Sequence, residues 1–194
     1  MCYLYRLKLL LILQLTLCCG SMIHGQSWIE ERNYVQAGNV TCRIDGLLNG
    51  RIKPPFGWFA WGQSDKNYSE SYAGMSYQPN VWLQVAVGGG VEENQHPVRV
   101  GSYVWFGRRG FSSIAVFEDG GSGFWYKVEA NYNPRKRFGV GALSERFHGT
   151  GPRFEVVVRT SHQDKARGTV WIAPLVNGHS LDTVFGLRWI VGRQ

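Results

Sequence analysis

The sequence predicts an all-β fold, an antiparallel β-sandwich, and three observations carry that prediction. Aromatic and β-branched residues are abundant beside 25 glycines, a composition of strands and tight turns. No long stretch repeats with the 3.6-residue period of a helix. From Val98 onward, short alternating runs recur with turn residues between them, the spacing expected of a sandwich.

The first stretch stands outside that fold. Arg6 and Lys8 lead into residues 9–19, LLLILQLTLCC, followed by Gly20 and Ser21. A charged start, a short apolar middle and a small-residue end describe a secretory signal peptide, assigned to residues 1–25 with cleavage near Gly20 or Gly25. No other stretch approaches the roughly 18–20 apolar residues of a spanning helix. The expectation is therefore a secreted, extracellular protein with no membrane span. Asn39-Val40-Thr41 and Asn67-Tyr68-Ser69 are N-glycosylation sequons, which fits that compartment. Cys2, Cys18 and Cys19 leave with the signal, so Cys42 has no internal partner and is expected to be buried or paired with a second chain.

Residues 26–80 read as an aromatic-rich N-terminal extension of unassigned role. Residues 39–44 form a short strand entering a turn at Asp45-Gly46. In residues 54–62, prolines and glycines interrupt regular structure around Phe56, Trp58, Phe59 and Trp61. That aromatic cluster reads as a plug on a domain end, with ligand stacking as the other reading. Residues 63–80 are polar and read as loop.

Residues 81–194 carry the sandwich. VWLQVAV at 81–87 is a strand stopped by Gly88-Gly89-Gly90, a run without the Lys-Ser/Thr ending of a phosphate-binding loop. Residues 98–106 set Val98, Val100, Val104 and Phe106 against Arg99, Gly101, Tyr103 and Trp105. Residues 111–117 follow, with a turn at Asp119-Gly120. The next strand, FWYKVEANYNPR, sorts into two faces. Phe124, Tyr126, Val128, Ala130 and Tyr132 are assigned to a core, and Trp125, Lys127, Glu129, Asn131, Asn133 and Arg135 to a polar face. Strands at 154–160, 169–176 and 183–191 complete the set, with residues 138–151 glycine-rich between them.

Catalytic patterns are absent: there is no His-Glu-x-x-His, Gly-x-Ser-x-Gly or Cys-x-x-Cys, and the five histidines lack metal-ligand spacing. The chain is not expected to be an enzyme or to need a cofactor or metal; Glu129 with Glu145 as paired carboxylates is the minority alternative. Formal net charge is +7, of which Arg6 and Lys8 leave with the signal. The remaining basic residues are scattered, which argues against nucleic acid and permits anionic partners such as acidic glycans or membrane surfaces. Asn supplies donor and acceptor in one plane and Arg a rigid donor fork, so the polar face suits the hydroxyl fans of sugars.

Six segments in order then resemble a galectin carbohydrate-recognition domain: VRVGSYVWFGRR, FSSIAVFEDG, YKVEANYNPR, PRFEVVV, VNGH and LDTVFGLRWIVG. The resemblance covers about half the chain. It implies a jelly-roll-like sandwich and an extracellular glycan-binding lectin, with glycans or glycoproteins as partners, β-galactosides or acidic glycans among them. YKVEANYNPR is similar to the family's His-x-Asn-Pro-Arg strand, with Asn131 at the His position. Asn133 and Arg135 carry over directly, Arg146 from the family's Trp-x-x-Glu-x-Arg, and Glu145 in a shifted register. Ala142 replaces the Asn of Val-x-Asn, the stacking Trp is missing, and Arg146 on the family Arg puts Ser144 where the key Glu belongs, so the implied site is degenerate. The alternative expectation is a secreted β-sandwich interaction or structural protein that binds no sugar.

Overall fold

A computed structural model of the chain describes residues 27–135, 137–159, 166–178 and 180–191. The expected signal peptide, residues 1–25, lies outside them. Twelve strands follow in order: β1 (Ser27–Gln36), β2 (Asn39–Lys53), β3 (Phe56–Ser64), β4 (Ser69–Asn80), β5 (Leu83–Glu92), β6 (Val98–Arg108), β7 (Phe111–Gly120), β8 (Trp125–Arg135), β9 (Phe138–Glu145), β10 (Gly149–Arg159), β11 (Ala166–Asn177) and β12 (Ser180–Val191). Each strand pairs antiparallel with the next, and β12 returns to β1, with Trp28 opposite Ile190 and Tyr34 opposite Val184. The result is a closed barrel, not the jelly-roll-like sandwich the sequence suggested.

The correction extends to the N-terminal extension. Residues 27–80 supply β1–β4 of the same sheet. The Pro/Gly-framed aromatics belong to β3, and β4 occupies most of the segment read as loop. Nor do the three glycines stop a strand. β5 runs through them to Glu92 because Gly88 and Gly90 point into the barrel, where side chains are crowded. A Cβ on Gly90 would lie 2.1 Å from the Ser71 carbonyl oxygen and 2.7 Å from the Tyr72 ring. Gly90, with Gly101 on β6, makes room for the inward ring of Tyr72, while Gly88 lets the backbone of Ala73 approach.

Period-two alternation holds around the barrel, with its polarity inverted relative to a soluble fold. In β8, Trp125, Lys127, Glu129 and Asn131 are buried inside, while Tyr132 is exposed outside. The two faces match the sequence reading; the apolar one faces outward instead of into a core. The same holds for Val98, Val100 and Val104 against buried Arg99 and Tyr103, and for Phe154, Val156 and Val158 against buried Arg153 and Glu155. Cys42, expected buried or paired with a second chain, is exposed on the outer face of β2 beside Glu31, Sγ to Oε1 3.8 Å. The outer belt is thus mostly Val, Phe, Ile and Leu, and the interior holds the charges.

Inside, two apolar clusters accompany those charges. One contains Trp28, Leu47, Phe59, Trp61, Tyr72 and Tyr103, with Trp28 and Trp61 edge-to-face at 5.4 Å. The other gathers Tyr34, Leu143, Trp171, Leu175 and Val184. Because strands alternate in direction, the turns β2–β3, β4–β5, β6–β7, β8–β9 and β10–β11 share one end with the two termini, the terminal rim. The other six turns form the distal rim.

An outer wall of exposed apolar side chains makes a prediction. Ile172→Arg, mid-strand in β11 and 46% exposed, is expected to destabilise the barrel by about 2–4 kcal/mol in a bilayer. Equilibrium unfolding from vesicles reads this. A change within about 0.5 kcal/mol, ordinary for a water-facing site, would contradict a lipid-facing wall.

Candidate functional site

The lumen is the candidate site, and its central feature is a set of ion pairs that cross it. Arg32 on β1, Lys127 on β8, Arg153 on β10 and Arg188 on β12 meet Glu30 on β1, Asp45 on β2, Glu129 on β8 and Glu145 on β9. Arg188 grips Glu129 through two bonds of 2.6 and 2.7 Å and also reaches Glu30 at 2.9 Å. Arg32 bonds Asp45, Glu30 at 2.8 Å and Glu145 at 3.2 Å. Lys127 Nζ is 3.4 Å from Asp45 Oδ2, joining strands on opposite sides of the barrel. Such a bond leaves no open bore at that level.

Burial makes the balance of charge decisive. Glu30, Arg32, Asp45, Lys127, Glu129, Glu145 and Arg153 are all 2% exposed or less. An unpaired charge there would face several kcal/mol of desolvation. With Arg43 on Glu145 and Glu155 on Arg153 counted, five cations meet five carboxylates and the cluster is neutral, Asp65 joining Arg43 at its distal edge. Aromatic faces complete the solvation of the cations. Lys127 Nζ lies 5.2 and 4.9 Å from the Trp28 and Trp61 ring centres, and the Arg153 guanidinium 3.9 Å from Trp171. Trp171 in turn donates to Glu30 at 2.6 Å.

A second cluster sits toward the distal rim. Arg99 pairs with Glu70 at 3.3 Å, Glu92 at 2.7 Å and Glu118 at 3.4 Å, and bonds Ser122. The Tyr68 hydroxyl, in the β3–β4 turn, lies 2.6 Å from carboxylates of both Glu70 and Glu92. Burial and those two carboxylates push its pKa well above the ordinary phenol value. One guanidinium against three carboxylates leaves this mouth acid-rich.

Two cavities flank the central cluster. One, of about 80 Å³, is lined by Asn49, Gln84, Asn131, Asn133, Glu129 and Arg188 toward the terminal rim. The other, of about 490 Å³, opens at the distal rim between Tyr34, Gln36, Arg43, His148 and Asp182. Tyr34 forms its floor, sandwiched between His148 at 4.2 Å and the Arg43 guanidinium at 5.1 Å. Between the two spaces lie the buried side chains of the central cluster.

The residues singled out from sequence disperse over this geometry. Asn131 and Asn133 line the smaller cavity, Asn131 donating to Glu129 at 2.8 Å. Glu145 belongs to the central cluster, where Arg32, Arg43 and Tyr34 hold it. Arg146 lies in the β9–β10 turn over the rings of Phe124 and Phe147. Arg135 ends β8 at the terminal rim, and its side chain is outside those described. Asn39 and Asn67, the sequon residues, are exposed and share the distal rim. Sequence reasoning missed Glu30, Arg32, Asp45, Arg153 and Arg188. The available signal was a charge in mid-strand, flanked at period two by an apolar face, repeated from strand to strand.

No family model and no curated protein matches the chain. Among solved structures it is similar to the NanC porin, with TM-score 0.52 and 11% identity over 85% of this chain and 100% of that one. It is also similar to the KdgM porin in complex with disordered oligogalacturonate, with TM-score 0.52 and 11% identity over 84% and 98%. A third is outer membrane phospholipase A from Escherichia coli, with TM-score 0.53 and 7% identity over 88% and 91%. At these identities the likeness establishes the fold, a closed outer-membrane-type β-barrel. The galectin resemblance fails on that fold, and with it the lectin reading and the alternative of a secreted β-sandwich. The expectation of a freely secreted chain with no membrane span is corrected by the same fold and by the exposed apolar wall.

Breaking the central cluster on one side has a defined cost. Glu129→Gln leaves Arg188 and Arg153 short of a buried counter-charge and is expected to lower stability by about 3–5 kcal/mol. Denaturant titration of the refolded barrel measures it; a loss under about 1 kcal/mol, typical of exposed pairs, would show the cluster to be hydrated.

Proposed function

We propose that the chain is a membrane-spanning β-barrel of porin type whose lumen is held shut by its charge-balanced cluster, and that release of this plug admits small polar solutes. The observation carrying the proposal is the inverted alternation: charges inside, Val, Phe, Ile and Leu outside, over a closed ladder without edges. In lipid, every backbone polar group must be satisfied within the protein, and a closed barrel does this with strands. Strand lengths of 8 to 15 residues bracket the roughly 9–11 residues that cross a bilayer at a tilt. The likeness to the NanC and KdgM porins supports the same reading.

The lining suggests the solute class. Asn49, Gln84, Asn131 and Asn133 offer amides that both donate and accept, beside the Glu129–Arg188 pair. Hydroxyl-rich, saccharide-type solutes match such a surface, and the KdgM structure was obtained with an oligogalacturonate. Passage, not catalysis, is the activity proposed.

Planar bilayers containing the full chain are expected to show low conductance. Lys127→Ala combined with Asp45→Ala removes the bond across the diameter, and conductance should rise several-fold, with liposome swelling in small saccharides. Unchanged conductance in a double variant that still folds into the bilayer would contradict a plugged channel.

A further inference from the structure

The two rims of the barrel differ sharply in charge. At the terminal rim, Arg51, Lys53, Arg108, Arg109 and Arg137 are all exposed. Among the described residues none of the five takes part in a salt bridge, and the described turns of that rim contain no Asp or Glu. The distal rim is mixed, with Asp65, Glu93 and Asp119 beside Lys66 and Arg146.

Backbone geometry pushes this charge outward. Arg109 takes a left-handed conformation (φ 51°) next to Gly110 (φ 82°), the tight hairpin turn that stands a side chain off the end of its strands. Below the basic turns runs an aromatic band on the outer wall. Phe56 packs on Tyr77 at 5.5 Å, and Phe106 on Trp82 and Phe111 at 5.5 and 6.0 Å. Tyr132 and Phe138 extend it, both exposed. Aromatic rings at headgroup level, capped by cations, are the chemistry of an anionic membrane surface.

We propose that the terminal rim docks on the anionic headgroups of one leaflet, so that the barrel sits with its termini toward acidic phospholipid and its distal rim away from it. The proposal rests on the membrane-spanning reading above. Cations without protein partners would bind phosphate oxygens, and the aromatic band would fix their depth. Both sequon residues, Asn39 and Asn67, then face the opposite compartment.

The test compares insertion of the full chain into phosphatidylcholine vesicles and into vesicles with an equal part of phosphatidylglycerol, at low and high salt. Wild type should insert preferentially into the anionic vesicles, with the preference lost at high salt. Arg51→Gln, Lys53→Gln, Arg108→Gln and Arg109→Gln combined should insert into neutral vesicles like wild type, yet lose about fivefold of the anionic preference per side chain removed. Equal insertion of wild type into both vesicles, or a preference retained by the variant, overturns the proposal. Salt-sensitive retention on heparin without any anionic-vesicle preference overturns it in favour of an acidic glycan. Wild type that inserts into neither vesicle defeats the membrane-spanning reading itself, and this proposal with it.

Discussion

Everything in this barrel depends on the neutrality of the charge cluster across its lumen. An eight-stranded barrel encloses a space that side chains just fill, while larger ones leave ligand cavities or aqueous channels. Twelve strands here enclose a space that Arg32, Lys127, Arg153 and Arg188 span by meeting carboxylates on other strands. The arrangement stands because each cation is matched and because Trp28, Trp61 and Trp171 present ring faces to the cations. Removing the matching would open a water path or unfold the wall. The ion pairs are therefore the main structural tie, and on the proposed reading the same pairs close the lumen.

β8 shows how much of this was legible in the chain. Its two faces were read correctly, because a period of two needs only local sequence. The direction of the faces was not, because an apolar row looks the same whether it meets a core or lipid. Transmembrane strands carry a weaker signal per segment than helices do, so only the repetition of Val98, Val104, Phe154, Val156, Val170 and Ile172 around the barrel reveals the outer wall. The galectin resemblance drew on the same alternation and turn residues, which any antiparallel meander shares. Gly88-Gly89-Gly90 misled for a related reason: glycine marks a strand break or a tight interior, and here Tyr72 takes the space at Gly90. Of the residues proposed for the site, Asn131 and Asn133 share one cavity toward the terminal rim, while Glu145 and Arg146 lie elsewhere because β9 ends at Glu145 and Arg146 begins the turn at the distal rim.

The two ends of the barrel suggest a division of labour. At the distal rim lie the larger cavity, the acid-rich Arg99 cluster and the Arg43–Tyr34–His148 stack. At the terminal rim lie the smaller, amide-lined cavity and the free basic turns. A solute entering distally would meet an aromatic floor before the central ion pairs and amides beyond them. On the proposed reading, recognition, closure and membrane anchoring are separated along one axis.

The central claim is that β8 points its apolar face to lipid and its charged face to the lumen. Spin labels placed one at a time from Tyr126 to Tyr132, in a background with Cys2, Cys18, Cys19 and Cys42 each replaced by Ser, report it in vesicles through their collision rates with oxygen and with a water-soluble nickel complex. Oxygen collisions should rise at Tyr126, Val128, Ala130 and Tyr132 and fall at Lys127, Glu129 and Asn131, with the nickel complex excluded from the outward set. The opposite phase, or nickel access at the outward positions, would contradict the account.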